Sequence, residues 1–327
     1  MEEALVAWQT AHQPFPWSWS PMIRDIEEYV DSRRLRPKGL IPPPNLFDSS
    51  GQTQRLASQR AEAAINTWGP HLFPLIAQAE VKLKGIRPLS VAGITPRADS
   101  YEVKGVIDVL SRVMLNQAQS SNEIVRVLEE ALGALSNFGP EFEVIVDYKG
   151  MRRPPINSHE WARYEWQLRT YAWLRSAQRG ARPIAAGIVL FLNELSPSGV
   201  DMTALQRDLQ NRATDVIPGA MDEAAVNSWR PRTQVPSLSD EFKRRRSIHV
   251  VSMAGQDITQ GLTHFDNVVA QIETAVNREM SGAPIPVAWA NTFLNAGNSR
   301  PGQEVCTACD FQSRCPILGQ YRTPAAP

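Results

Sequence analysis

Residues 142–149 read FEVIVDYK, a largely apolar run that leads into Asp147, Tyr148 and Lys149. The β-branched and aromatic residues of this run predict a strand, and its apolar character places the strand in a core. Side chains alternate between the two faces of a strand, so Asp147 and Lys149 should lie on one face, about 7 Å apart along it. The sequence therefore predicts a carboxylate and an ammonium group side by side at the end of a buried strand.

A second carboxylate lies upstream in a similar setting. Asp108 belongs to the run GVIDVL, residues 105–110, which is also predicted to be a strand. Hydrolysis of a phosphodiester needs a divalent cation, an oriented water and positive charge near the phosphate. Mg²⁺ and Mn²⁺ prefer oxygen ligands, so Asp108, Asp147 and the carbonyl of Tyr148 are candidate metal ligands. Lys149 is the candidate group that orients the water or neutralises the phosphate. An incidental charge pair on an exposed strand is the alternative.

The rest of the pattern predicts an α/β chain with a central mixed sheet flanked by helices. Alternating or β-branched runs predict further strands at residues 79–86, 102–114, 184–192 and 247–252. Helical periodicity predicts helices at residues 18–38, 55–67, 122–134, 158–178, 203–213 and 264–280. We expect an N-terminal helical segment at 1–50, a core at 51–290 with an insertion at about 195–240, and a cysteine-containing tail at 291–327.

The helix predicted at residues 158–178, capped by Asn157 or Ser158, carries the next candidates. Gln167 and Tyr171 are four residues apart and hence share one face of the helix. They either face the acidic strands, with Gln167 bonding to the site and Tyr171 contacting nucleic acid, or they simply pack at the rim of the core. The same helix carries Trp161, Trp166 and Trp173, which are suited to core packing or to stacking on unpaired bases.

Composition narrows the class of protein. The chain has 327 residues, 43% hydrophobic content and a formal net charge of zero, so nucleic-acid binding must come from local patches. Arg152 and Arg153, close to Lys149, are candidate phosphate contacts, as is the basic run at residues 243–246. The acidic N-terminus does not resemble a signal peptide, and the longest apolar run, 184–192, is too short to span a bilayer. We expect a soluble protein of the cytoplasm with no membrane partner.

Three cysteines close to the C-terminus form a separate candidate site. Cys306, Cys309 and Cys315 have the spacing of metal ligands, and three clustered thiols are uncommon by accident in an intracellular protein. An iron–sulfur cluster or a zinc ion with a structural role is one interpretation. Reduced cysteines without a ligand are the alternative.

Taken in order, these motifs resemble the RecB-like branch of the PD-(D/E)XK nuclease superfamily. The motifs are Gly105-x2-Asp108, Asp147-x-Lys149, Gln167-x3-Tyr171 and the three terminal cysteines. The iron–sulfur members, namely the AddB nuclease domain and the CRISPR-associated exonuclease, are the most similar. The resemblance covers residues 18–316 and implies a restriction-endonuclease-like core, with Asp108 and Asp147 as metal ligands and Lys149 as catalytic lysine. It also implies Gln167 and Tyr171 as the helix motif of the branch.

The chain departs from that family at two positions. Arg55 stands where such nucleases carry a metal-binding histidine on the first core helix. Ser32 stands where a fourth cluster cysteine is expected, so a 4Fe-4S cluster would need another ligand, and a 3Fe-4S cluster or zinc is the alternative. Glu80 lies where the family often has an acid, although an exposed strand glutamate would explain it equally well.

The resemblance implies a Mg²⁺- or Mn²⁺-dependent deoxyribonuclease that acts on DNA ends or single strands. DNA repair, recombination, CRISPR adaptation or phage defence is the expected setting, with a helicase or another nuclease subunit as a candidate partner. A nuclease fold that binds DNA or a protein partner without cutting is the alternative, which the missing histidine favours.

Overall fold

The computed structural model describes residues 15–16, 52–156, 158–253 and 255–288. The helix predicted at residues 18–38, Asn157 and the cysteines Cys306, Cys309 and Cys315 fall outside these ranges, so what was expected of them stays a prediction. Within the described ranges, no helix combines the length and the apolar character needed to cross a membrane.

Five strands of the described ranges form one mixed sheet. They are β1 (Ile76–Pro88), β2 (Ser100–Met114), β3 (Glu141–Lys149), β4 (Ile184–Phe191) and β5 (Ile248–Ser252). Their spatial order follows their order in the chain. β2 and β3 are antiparallel, β3 and β4 parallel, and β4 and β5 antiparallel. The predicted mixed α/β fold is therefore confirmed.

Helices flank the sheet and fill its connections. The described helices are α1 (Gln52–Leu72), α2 (Glu123–Leu132), α3 (His159–Ser176), α4 (Gly199–Gln210), α5 (Ala220–Ser228), α6 (Asp240–Ser247), α7 (Gly255–Met280) and α8 (Ile285–Ala288). Helix α3 joins the parallel strands β3 and β4, as such a connection requires. Ser158 is the N-cap residue of α3. At the start of α2, the side chain of Asn122 accepts hydrogen bonds from the amides of Ile124 and Val125.

Strand β3 separates two layers of the core. On one side, Val144 and Val146 belong to an apolar cluster that includes Trp68 of α1 and Leu128 of α2. On the other side, β3 presents polar side chains to α3, at Glu143 and at the predicted site residues. A strand that is apolar on one face and polar on the other thus places the site between the sheet and α3.

Glycines in the sheet allow α3 to lie close to it. A Cβ atom at Gly85 of β1 would come within 2.5 Å of the ring of Trp173. One at Gly105 of β2 would come within 2.8 Å of the ring of Tyr171. The absence of both side chains leaves room for these two rings, so Gly105 of the Gly105-x2-Asp108 motif has a packing role in addition to its place beside Asp108.

The insertion between β4 and β5 is more helical than its sequence suggested. One helix was predicted at residues 203–213, whereas three occur: α4, α5 and α6. They have a small apolar core of their own, to which Met202, Trp229 and Phe242 belong. Ser198 and Ser239 are the N-cap residues of two of these helices, since their side chains accept hydrogen bonds from the first turns of α4 and α6.

The described residues divide into two compact units. The first comprises residues 52–85 and 104–258, with most of β1 and β2, all of β3, β4 and β5, and α3. The second comprises residues 86–103 and 259–288. Within this second unit, Arg87 and Tyr101 hold the carboxylate of Asp266, and Arg97 pairs with Glu273 at 2.6 Å. The expected boundaries near residues 50 and 290 fall at the edges of the described ranges and stay predictions.

The packing of α3 on the sheet gives the first prediction. A Cβ atom at Gly187 of β4 would lie 3.0 Å from the Cβ of Leu168, an atom fixed to the helix backbone. Gly187→Ala should therefore lower the free energy of unfolding by about 1–3 kcal/mol through overpacking. Urea denaturation measures this. Gly150→Ala, at a position with open space, is the control and should stay within about 0.5 kcal/mol of the unsubstituted protein. Equal stability of the two variants would contradict the close packing of α3.

Candidate active site

Asp108 and Asp147 meet where β2 and β3 stop pairing. The antiparallel pairing runs from Met114–Glu141 to Val109–Val146, and the two aspartates are the next residues on each strand. Beyond this pair, the backbone N–H of Tyr148 donates to Oδ2 of Asp108 at 3.2 Å instead of to a strand carbonyl. The side chain of Asp108 thus takes the place of a backbone acceptor, which brings its carboxylate to the residue that follows Asp147.

Lys149 lies on the same face of β3 as Asp147, as predicted. Its ammonium nitrogen is 2.6 Å from Oδ2 of Asp147 and 3.1 Å from Oε1 of Gln167. The same nitrogen lies over the ring of Tyr164, 5.4 Å from its centroid, in a cation–π contact. Since the side chain of Lys149 is about one-fifth exposed, its charge remains within reach of solvent.

Gln167 connects the strand to the helix. Its amide nitrogen donates to Oδ1 of Asp147 at 3.3 Å and to the hydroxyl of Tyr171 at 2.9 Å, while its amide oxygen accepts from Lys149. This arrangement fixes the orientation of the amide, because the reverse would point the NH2 group at the ammonium. The structure therefore brings together Gln167, Tyr171, Asp147 and Lys149.

The surroundings of the two aspartates disfavour their ionised form. Burial and the negative charge of Asp147 raise the pKa of Asp108 to about 6, although the N–H of Tyr148 partly opposes this. Burial also raises the pKa of Asp147, against the pull of Lys149. Burial raises the pKa of Tyr171 as well. Two carboxylates that repel each other in a partly desolvated site favour the arrival of a cation.

A buried ion pair on the same face fixes the position of α3 on β3. The guanidinium of Arg175 binds both oxygens of Glu143, each at 2.7 Å, and Glu143 is fully buried. Arg175 follows Gln167 by eight residues, about 12 Å along a helix. Glu143 precedes Asp147 by four residues, about 13 Å along a strand. The two distances are nearly equal. The ion pair and the Gln167 contacts therefore favour the same alignment of α3 along β3. Sequence analysis missed this pair, although a glutamate within an otherwise apolar run was a visible signal.

Arg153 corrects the prediction that both arginines after β3 contact phosphate. It is 3% exposed, and its guanidinium donates to Asp215 and to the backbone carbonyls of Arg246 and Ile248. Its backbone N–H donates to Glu194. Arg153 thus fastens the segment after β3 to the helical insertion and is not available to nucleic acid.

The other basic residues differ in their accessibility. Arg152 pairs with Asp208 at 2.7 Å but keeps about a quarter of its side chain exposed, so its contact with phosphate stays a prediction. Within the run at 243–246, Arg246 is buried against Glu194, which corrects its place among the candidate phosphate contacts. Proximity to Lys149 in the sequence did not predict accessibility, because the acidic partners of Arg152 and Arg153 lie 41 to 62 residues away in the chain.

Two further positions bear on the metal ligands. Glu80 lies in β1 with a positive φ of 52°, an unusual backbone conformation outside glycine, and its charge contributes to the raised pKa of Asp108. Arg55 lies in α1, but its side chain is not among those described. The described residues contain no group of three or more His, Cys, Asp or Glu side chains arranged to hold a metal.

The donor set nevertheless fits a hard cation. Asp108 and Asp147 supply carboxylate oxygens at one end of β3, the carbonyl of Tyr148 lies between Asp147 and Lys149, and Mg²⁺ needs only one or two carboxylates when water and phosphate complete its shell. The structure therefore brings together the residues predicted to bind Mg²⁺ or Mn²⁺.

Comparison with protein families agrees with this arrangement. The family model of the PD-(D/E)XK nuclease superfamily matches residues 140–316, more than half of the chain. The chain belongs to the PD-(D/E)XK nuclease superfamily. The matched region contains Asp147, Lys149, Gln167 and Tyr171, and Asp108 lies upstream of it. Because members of this superfamily are generally nucleases, a nuclease-type function is indicated. No curated protein matches the chain.

The raised pKa of Asp108 predicts how this nuclease-like domain responds to pH without divalent cations. Its pKa of about 6 in the folded state exceeds the 3.8 of an aspartate in the unfolded chain, so the folded state binds the proton more tightly. Stability should therefore fall as pH rises from about 4 to 7. Asp108→Asn should remove this loss and stabilise the protein at pH 7.5 by about 1–2 kcal/mol, a value discounted for the partial exposure of Asp108.

Urea denaturation of both proteins at several pH values measures the effect. The advantage of Asp108→Asn should be close to zero at pH 4 and complete above pH 7. An advantage that is the same at all pH values, or a less stable variant at pH 7.5, would show that Asp108 is not strained by its surroundings.

Proposed function

We propose that the protein is a Mg²⁺- or Mn²⁺-dependent deoxyribonuclease. The observation that carries this proposal is the convergence of Asp108, Asp147 and Lys149 at the point where β2 and β3 separate, with Lys149 on the face of Asp147. An incidental surface pair would not have a 3% exposed aspartate, nor a glutamine bonded to both of its members.

In this proposal Asp108, Asp147 and the carbonyl of Tyr148 hold the cation. When bound there, the cation would polarise the scissile phosphate and lower the pKa of an attacking water. The residues of the chain do the rest: the two carboxylates fix the position of the charge, and Lys149 presents its ammonium to the phosphate or to the water. Gln167 holds Lys149 and Asp147 from the helix side, and Tyr171 positions Gln167.

The resemblance to the RecB-like branch supports DNA ends or single strands as the substrate and exonucleolytic cleavage as the reaction. Repair, recombination, CRISPR adaptation or phage defence is the corresponding setting, with a helicase or nuclease subunit as partner. The zero net charge is consistent with a substrate delivered to a local site rather than attracted over the whole surface. An iron–sulfur cluster or zinc on Cys306, Cys309 and Cys315 remains part of the proposal, and iron and zinc analysis of the purified protein tests it.

A second function is a module that binds nucleic acid or a partner without cutting. The observation that favours it is that both oxygens of Asp147 already have partners, Lys149 at Oδ2 and Gln167 at Oδ1. If these contacts persist when DNA binds, Asp147 would have no oxygen left for a cation. Measurements of cation binding and of DNA cleavage distinguish the two functions, because the nuclease should show both and the binding module neither.

Cleavage of labelled single-stranded and double-stranded DNA with Mg²⁺ or Mn²⁺ tests the catalytic proposal. Lys149→Met should lower the rate at saturating DNA at least 100-fold, since it removes a charge that acts on the reacting phosphate. The matched control is Arg126→Met, which removes an exposed basic residue of α2 that is paired with Glu123 and Glu130. This control should retain the activity of the unsubstituted protein.

Two results would overturn the proposal. The first is equal loss of activity in both variants, which would point to a general role of positive charge. The second is DNA binding without cleavage by the unsubstituted protein with either cation, which would support the non-cutting module.

Cation binding can be measured without DNA. At a Mn²⁺ concentration ten times its dissociation constant, binding to the folded state alone should stabilise the protein by about 1.4 kcal/mol. For a domain of this size that raises the melting temperature by roughly 2–4 °C. Asp108→Asn should abolish this rise, because it removes one ligand, whereas the surface variant Arg126→Met should keep it. A rise of the same size in Asp108→Asn would place the cation elsewhere.

A further inference from the structure

A cavity opens beside the N-terminal half of α3, apart from the residues proposed to cut the phosphate. It has a volume of about 450 Å³ and is lined by residues of the first unit from α3, the insertion and β5. The lining residues that matter below are Trp161, Ala162, Glu165, Asp215 and His249. Neither the cation ligands nor Lys149 line it.

The position of the cavity relative to Asp147 follows from the register of the sheet. Asp147 pairs with Val189 of β4, and Val189 pairs with His249 of β5. The three residues form one row across the sheet and share a face, so Asp147 and His249 are about 10 Å apart, two strand spacings. The helix gives the same separation, because Trp161 and Gln167 are six residues or about 9 Å apart along α3.

Aromatic side chains connect the two sites. The rings of Trp161 and His249 lie 4.3 Å apart, and Trp161 meets Phe191 edge-on at 5.6 Å. Tyr164 lies against Phe191 at 5.9 Å and beneath the ammonium of Lys149. Phe191 and Tyr164 are buried and connect Trp161 to Lys149 through the core, whereas Trp161 and His249 line the cavity itself. These two lining rings suit a planar group that belongs to the same ligand as the phosphate.

The carboxylates at the cavity are already paired with arginines, Asp215 with Arg153 and Glu165 with Arg169, so the lining is polar with little net charge and suits a neutral planar group. Glu165 and Asp215 place two carboxylates at its edge. Asp215 stays ionised: burial alone would raise its pKa, but the hydrogen bonds from Arg153 hold that pKa below its ordinary value. Burial lowers the pKa of His249 to about 4, so its imidazole is a neutral flat surface at pH 7. Carboxylate oxygens accept hydrogen bonds, which suits the N–H groups of a base.

We propose that this cavity binds an unpaired nucleobase of the nucleotide next to the scissile phosphate. The inference rests on the proposed nuclease function and deepens it, since it assigns a base-binding subsite to the single-stranded substrate. Its grounds are the 10 Å separation from Asp147, the rings of Trp161 and His249, and the acceptors Glu165 and Asp215.

The experiment uses single-stranded oligonucleotides that carry one abasic nucleotide, moved stepwise past the main cleavage position. With the unsubstituted protein, loss of the base at one or two positions beside the cut should lower kcat/KM about tenfold, the scale of one base stacked on an aromatic side chain. Loss at other positions should change little. The same oligonucleotides are titrated by fluorescence anisotropy in EDTA, which measures binding without cleavage.

Ala162→Leu supplies the matched test of the cavity. Ala162 is exposed on α3, so a leucine there fills the cavity without disturbing the core. This variant should cut normal DNA about tenfold less well and should no longer distinguish normal from abasic DNA at the sensitive position. The control Ala177→Leu, exposed at the other end of α3, should behave like the unsubstituted protein.

The outcomes separate this inference from the proposed function. Cleavage with no sensitive position, or a sensitive position that Ala162→Leu leaves unchanged, would overturn the cavity as a base site while the nuclease function stands. Absence of cleavage would overturn the nuclease function. In that case the anisotropy titration still tests whether the cavity binds a base, because it requires only binding. Equal affinity for normal and abasic strands at every position would reject the inference.

Discussion

The attachment of α3 to β3 is the constraint on which the site depends. Two sets of contacts hold the helix on the strand: the Glu143–Arg175 ion pair, and the contacts of Gln167 with Asp147 and Lys149. The distance between the two sets is the same along α3, about two helix turns, as along β3, four residues. A buried ion pair contributes more to register than to net stability, because removing the charges from water costs about as much as their attraction returns. Sliding α3 by one turn would break both attachments together. The register therefore determines where the ammonium of Lys149 is held and which aromatic rings stand beside it.

This arrangement explains how a neutral chain can present a site for an anionic substrate. Negative charge is concentrated on Asp108 and Asp147, where burial makes it unfavourable and the proposed cation would balance it. Positive charge is fixed at Lys149, while Arg153 and Arg246 are used inside the protein to hold the insertion against the segment after β3. A bound cation would neutralise the two buried carboxylates. The affinity of the site for phosphate would then depend on cation binding and not on the net charge of the chain.

The features that could be predicted from the sequence are those that depend on residues close together in the chain. Periodicity predicted the five described strands, but it missed the helices α5 and α6 and placed the start of α7 nine residues too late. Lys149 lies on the face of Asp147 because the alternation of a strand is strict. Prediction failed where partners are distant in sequence, because no residue near Arg153 indicates that Asp215 and Glu194 are its partners. The cavity beside Trp161 was likewise invisible, since it needs residues from three separate elements.

Anomalous diffraction from crystals grown with Mn²⁺ tests the central claim most directly. The account predicts one strong peak at the end of β3, about 2.0–2.3 Å from oxygens of Asp108 and Asp147, with Lys149 beside it. A peak bound elsewhere, or a site in which Lys149 turns to the opposite face of the sheet, would contradict it.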